Sequence, residues 1–99
     1  MEVKGRIGVF VVVSYDVADD RIRNKVAKVM ESFGDRVQYS VFECNMDVSE
    51  LMRMVKKLQR LITSPGDSVR IYRICTSCKR QILIVGSGKV SEDPDLVVV

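Results

Sequence analysis

Residues 7–15, IGVFVVVSY, constrain the fold more than any other stretch of the chain. The run is β-branched and aromatic, too short for a buried helix and too evenly apolar for a strand with one wet face. It therefore predicts a central strand. Polarity rises abruptly where it ends, and Tyr15-Asp16 is followed at once by Asp19, Asp20, Arg21 and Arg23. Asp16 is thus either the first residue of a turn or a carboxylate delivered to the carboxyl end of the strand.

From Asp19 the apolar period becomes helical. Ile22, Val26, Val29, Met30 and Phe33 form one stripe, Asp19 is placed to cap the first turn, and Asp20 suits its positive end. Gly34 is expected to stop this helix in the left-handed conformation. RVQYSVFECNM, residues 36–46, alternates as one long strand or as two short ones with a tight turn near Tyr39-Ser40. Asp47 with Glu50 three residues on resembles a capping box. It opens a second helical stripe of Val48, Leu51, Met52, Val55, Leu58 and Ile62. SPGD (64–67) is a turn, SVRIYRI (68–74) and QILIV (81–85) read as strands, and LVVV (96–99) is an apolar tail beyond Pro94. This order implies an α+β sandwich, one domain over residues 1–99 with both helices on one face of an antiparallel or mixed sheet. A terminal LVVV frays in water unless it pairs with a sheet edge, its own or a partner's, which points to a homodimer.

Composition narrows the chemistry. The 99 residues contain no histidine, which excludes Ser-His-Asp and Cys-His nucleophile systems and histidine-containing zinc sites. Catalysis must then rest on carboxylates, bases, hydroxyls, thiols or a metal. Three cysteines, Cys44, Cys75 and Cys78, argue against a disulfide framework. No apolar run approaches the ~20 residues of a membrane span, and the amino end lacks a small-residue cleavage site. The expected location is the cytoplasm. Sixteen Lys and Arg against thirteen Asp and Glu give a net charge of +3, compatible with a nucleic-acid partner.

Asp16 alone is a poor magnesium ligand set, but two copies brought together by a dimer axis supply the one or two carboxylates this ion takes. Arg21, Arg23, Lys25 and Lys28 on the first helix and Arg53, Lys56, Lys57 and Arg60 on the second would offer phosphates a basic surface, doubled in a dimer. Cys75-Thr76-Ser77-Cys78 is half of a four-cysteine zinc site, and it is expected to be a reverse turn between two strands rather than the helix start of a redox motif. A zinc site is not expected. GSGK (86–89) lacks the rest of a phosphate-loop pattern.

SYDVADDRIRNKVAKVMESFGDRVQYSVFEC, residues 14–44, together with SVRIYRI and the closing VVV, resembles the CRISPR-associated protein two family, small spacer-acquisition proteins of prokaryotic immunity. The resemblance implies a ferredoxin-like βαββαβ domain, which would split residues 36–46 into two strands. It also implies a homodimer in which the last strand lies against the partner's sheet. It implies a metal-dependent endonuclease acting on single-stranded RNA or double-stranded DNA, or a non-catalytic scaffold that holds protospacer DNA and bridges the CRISPR integrase, CRISPR-associated protein one. Matched by position, Asp16 would be the metal ligand, with Tyr15 beside it, Arg23 and Arg36 as functional arginines and Phe42 as the aromatic near the site. Lys25 stands where some members carry arginine. One Mg²⁺ shared by Asp16 of both protomers is the implied cofactor.

Overall fold

The computed structural model describes Arg6–Val98; residues 1–5 and Val99, the last residue of the expected tail, lie outside the described residues. The apolar run lies within β1 (Arg6–Asp16), and β1 is central. It is followed by α1 (Asp20–Glu31), β2 (Asp35–Gln38), β3 (Val41–Met46), α2 (Val48–Leu61), β4 (Ser68–Ile74), a one-turn helix α3 (Thr76–Lys79) and β5 (Leu96–Val98). β1 pairs antiparallel with β3 on one side and β4 on the other, giving the sheet order β2-β3-β1-β4. This is the βαββαβ arrangement, and the 36–46 segment is two strands, with Tyr39-Ser40 as their turn.

The core lies between the helices and one face of the sheet. Val9, Val11, Val13 and Tyr15 of β1 and Phe42, Cys44 and Met46 of β3 form one buried cluster with Val26, Ala27 and Met30 of α1 and Met54 and Leu58 of α2. Both helices therefore share a face. The caps are as expected: the Asp19 side chain accepts from Ile22 N, and Asp47 and Glu50 form a reciprocal capping box. The α2 stripe is rotated from the expected one. Val48 and Met52 are exposed, and Met54 takes the fully buried position, because the helix meets the sheet along Leu51, Met54 and Leu58.

Gly34 is not left-handed; among the described residues only Gly66, Gly86 and Gly88 have positive φ. Ser32 caps α1 in a right-handed conformation, and Gly34 lies where a Cβ would run into Cys44 Sγ and Glu43 O. Its role is close approach to β3. Gly66 does supply a positive φ, 88°, in the 64–67 turn, which the Asp67 N–H closes onto Ser64 O at 3.2 Å.

The opposite face of the sheet departs further from expectation. QILIV does not form a strand: residues 82–85 have no regular secondary structure and no strand partner, with Leu83 90% and Val85 100% exposed. Apolar β-branched residues carry the tendency to pair, yet the segment makes no ladder with the open β2 edge beside it. Cys75–Cys78 is likewise not a reverse turn between strands; it follows β4 and opens α3, with Cys75 as the N-cap. The terminal strand forms, and within the single chain it pairs in parallel with Arg6–Gly8 of its own β1 rather than with a second sheet. Ser91 is buried against this face. Its N–H donates to Glu43 Oε1 (2.9 Å) and Asn45 Nδ2 donates to its carbonyl (3.1 Å). Phe10, fully buried yet outside the helix-side cluster, lies under the Lys79 ammonium, 4.6 Å from its ring centre.

Candidate active site at the end of the central strand

Successive strand residues point to opposite faces, so Tyr15 and Asp16 part company at the end of β1. Tyr15 is buried on the helix side and Asp16 is exposed on the other. The structure accordingly splits the candidate residues into two groups.

Tyr15, Arg23, Arg36 and Phe42 come together on the helix side. The Tyr15 and Phe42 rings stack at 6.3 Å, and Arg36 Nη2 donates to Tyr15 Oη at 3.2 Å while its guanidinium covers Phe42 at 5.4 Å. Tyr39 completes the cluster: Arg36 lies 5.7 Å and Arg23 6.0 Å from its ring centre, and its carbonyl accepts from Tyr15 Oη at 3.4 Å. Sequence reading missed Tyr39. The available signal was a large aromatic in a two-residue turn, where nothing apolar needs it.

Arg23 is placed by the first turn of α1 and spends its guanidinium inside the chain. It donates to Val17 O (3.0 Å) and Ala18 O (3.5 Å) and pairs with Asp20, and its Nε is buried without a partner. Tyr39 first, and then Asp20, raise its proton affinity further, against the opposing effect of burial. Arg23, one of the expected phosphate contacts, clamps the two residues that follow Asp16. Arg36 is exposed and retains donors facing solvent.

Asp16 has no hydrogen-bond or ion-pair partner among the described residues. It sits opposite Ser68 of β4, and the neighbouring Asp67 carboxylate is occupied by the Ala18 N–H at 3.1 Å. Two places back on the same face, Ser14 stands opposite Arg70, an exposed cation that sequence reading did not single out although the alternation of SVRIYRI put it in phase with Ser68. Tyr72, next along that face, raises the Arg70 proton affinity. No group of three or more Cys, Asp or Glu side chains able to hold a metal exists among the described residues. One chain therefore falls short of a magnesium site.

Arg21, Lys25, Lys28, Arg53, Lys56, Lys57 and Arg60 are all exposed on α1 and α2, across the sheet from Asp16. Lys57 Nζ lies 5.7 Å over the Phe33 ring, which fixes one of them. Among the described residues no helix is long and apolar enough to cross a membrane.

The fold places the chain among the small ferredoxin-like α+β sandwiches, here with a carboxylate that has no partner among the described residues ending the central strand and an arginine–tyrosine cluster behind it. The chain belongs to the CRISPR associated protein Cas2 family, whose model matches residues 9–82. It is 45% identical over 84 residues to the "CRISPR-associated endoribonuclease Cas2 1" of Chloroflexus aurantiacus, covering 84% of this chain and 90% of that one. The "CRISPR-associated endoribonuclease Cas2 3" of Synechocystis is 39% identical over 88 residues, 89% of this chain and 96% of the other. Among solved structures, Streptococcus pyogenes Cas2 superposes with a TM-score of 0.68 at 32% identity, covering 78% of this chain and 99% of that one. A hypothetical protein from Thermus thermophilus reaches 0.73 at 36%, covering 85% and 98%.

Proposed function

We propose that the chain is a homodimeric, magnesium-dependent endonuclease that hydrolyses phosphodiester bonds in single-stranded RNA or double-stranded DNA during spacer acquisition. The observation that carries this reading is Asp16: exposed, without a partner among the described residues, and held at a strand end by a buried tyrosine and a clamped turn. Relatives named endoribonucleases support the nuclease, and a relative in Thermus thermophilus carries the broader name endonuclease.

Asp16 of each protomer would hold the ion. When bound, magnesium supplies Lewis-acid polarisation of the phosphodiester and a nucleophilic water. The chain's own residues do the rest. Arg23 fixes the Val17 and Ala18 carbonyls and so the backbone leaving Asp16. Arg36 holds the Tyr15 hydroxyl, which stops the strand end from rotating. Arg70 is the cation on Asp16's own face and is assigned to phosphate. With no histidine in the chain, proton transfer falls to solvent or to the activated water.

The dimer is supported by the unpaired 82–85 segment beside the free edge of β2. The groove between them, lined by Arg36, Val37, Gln38 and Ile82–Val85, measures about 530 Å³.

A second reading, a scaffold that holds protospacer DNA and bridges the integrase, is favoured by the cations on α1 and α2. They lie exposed on the helix side, away from Asp16, and suit a phosphate backbone. A structural neighbour described as a partial Cas6-RT-Cas1–Cas2 complex supports an integrase partner.

Asp16→Ala separates the two. The exposed site predicts a folded, dimeric variant whose magnesium-stimulated cleavage falls by at least ~100-fold, the scale of losing a charged catalytic group. Nucleic-acid binding should be retained. Undiminished cleavage would reject Asp16 as the ligand, and loss of cleavage with intact spacer integration would assign the cellular role to the scaffold.

A further inference from the structure

Cys75 and Cys78 lie outside the site above. β4 runs antiparallel to β1, so Ile74 stands opposite Phe10 while Ser68 stands opposite Asp16, and six residues of strand, about 20 Å, separate the pair from the carboxylate. Both thiols are free and exposed. They occupy the first and fourth positions of one closed helical turn, sealed by the Lys79 N–H donating to Cys75 O at 2.8 Å. Residues at that spacing are neighbours on a helical turn with Cβ atoms about 5–6 Å apart, so the turn must tighten by about 1–2 Å to reach the ~3.8 Å Cβ separation of a disulfide.

Their surroundings are unequal. The Ser77 hydroxyl lies 3.3 Å from Cys75 Sγ. That hydroxyl first, then the Cys78 backbone N–H and thiol, bring the Cys75 pKa down to about 7, while Cys75 pushes that of Cys78 up. About half of Cys75 is then thiolate at neutral pH, against roughly 3% for an ordinary cysteine, and lower intrinsic nucleophilicity cuts the net advantage to about threefold. Cys44 is the opposite case. It is fully buried, and desolvation first, then Asp35 and Glu43, hold its thiol up to about 12.

The turn is also anchored. Thr76 Oγ1 donates to Val98 O, and Lys79 Nζ donates to Asn45 Oδ1 (3.1 Å) and Glu92 Oε2 (3.2 Å). The pair thus sits at the root of the segment that crosses the open sheet face.

We propose that Cys75 and Cys78 form a reversible dithiol, oxidised to an intrachain disulfide by exchange with a low-molecular-weight disulfide, Cys75 attacking and Cys78 resolving. The Cys75 thiolate attacks one sulfur of RSSR, forming a mixed disulfide and expelling RS⁻, which takes up a proton. Cys78 releases its proton and attacks the Cys75 sulfur, expelling the second RS⁻. The protein loses two hydrogens and RSSR becomes two RSH.

The test uses the full chain, equilibrated with oxidised and reduced glutathione, quenched by alkylation and weighed intact. The expected wild-type product is lighter by two hydrogens, carries no glutathione, and keeps Cys44 unmodified. Cys78→Ser should accumulate glutathione on Cys75, and Cys75→Ser should react severalfold more slowly than Cys78→Ser. Both exposed variants should keep the wild-type circular dichroism spectrum. A wild-type chain that stays reduced, or that accumulates stable glutathione adducts, would overturn the proposal, as would equal rates for the two variants.

Discussion

Gly34 and Asp16 show how a single residue can be placed correctly by the sequence and given the wrong reason. A glycine after a helical stripe reads as a left-handed stop, because that is the commonest use of glycine there. Gly34 instead gives up its Cβ so that the chain leaving α1 can pass β3 at Cys44 and Glu43. Nothing in a lone glycine distinguishes the two uses, since the obstructing atoms come from a strand nine residues away. The consequences differ, however. A left-handed glycine tolerates asparagine; a glycine needed for space tolerates no side chain. Gly34→Ala should therefore destabilise the fold by about 1–3 kcal/mol, the cost of overpacking against backbone. A urea titration would show it as a lower midpoint with an unchanged slope, and an unchanged midpoint would mean that β3 can move aside. Asp16 was legible as exposed because alternation along IGVFVVVSYD puts it out of phase with Tyr15. Alternation says nothing about Arg23, which lies on α1, and only the folded chain brings Arg23 and Arg36 to the Tyr15 side rather than to the carboxylate.

Elements with a polar side declared themselves. α1 and α2 carry a cap, an apolar stripe and a basic outer face, and each cap forms as expected. The α2 stripe was misphased because Met52 and Met54 are equally apolar, and only contact with the sheet decides which is buried. The α2 cap also carries a pH signature. The Glu50 backbone N–H first, with Glu50 and Arg6 side chains adding, holds the Asp47 carboxyl below its usual range, against desolvation. A depressed carboxylate contributes stability that is complete above its unfolded value, about 3.9, and is lost as pH falls through the lowered folded value. The stability gap between the wild type and Asp47→Ala should hold constant from neutral pH to about pH 5 and shrink progressively at more acid values. Denaturation at a series of pH values measures it, and a gap independent of pH down to the acid transition would exclude this carboxylate as its source.

For the whole molecule, what remained illegible is the part that one chain does not complete. QILIV has the composition of a strand and is unpaired, Leu83 and Val85 face solvent, and the edge of β2 beside them is free. Sequence composition reports the tendency to pair without naming the edge. An exposed apolar segment next to an open edge invites pairing with another chain. The proposed metal site makes the same demand from the other direction, since one Asp16 is insufficient and two are adequate. The proposed dimer would have to meet both requirements, which ties them in a single experiment. Leu83→Asp with Val85→Asp changes two side chains that touch almost nothing within the protomer, so the monomer fold and its circular dichroism spectrum should be unchanged. Two charges in a pairing surface should shift the protein to the monomer in light scattering and weaken association at least tenfold. Magnesium-dependent cleavage should fall in parallel with the dimer fraction, although Asp16 is untouched. A monomeric variant that still cleaves at the wild-type rate would refute the two-carboxylate site, and a variant that remains dimeric would move the interface away from residues 82–85.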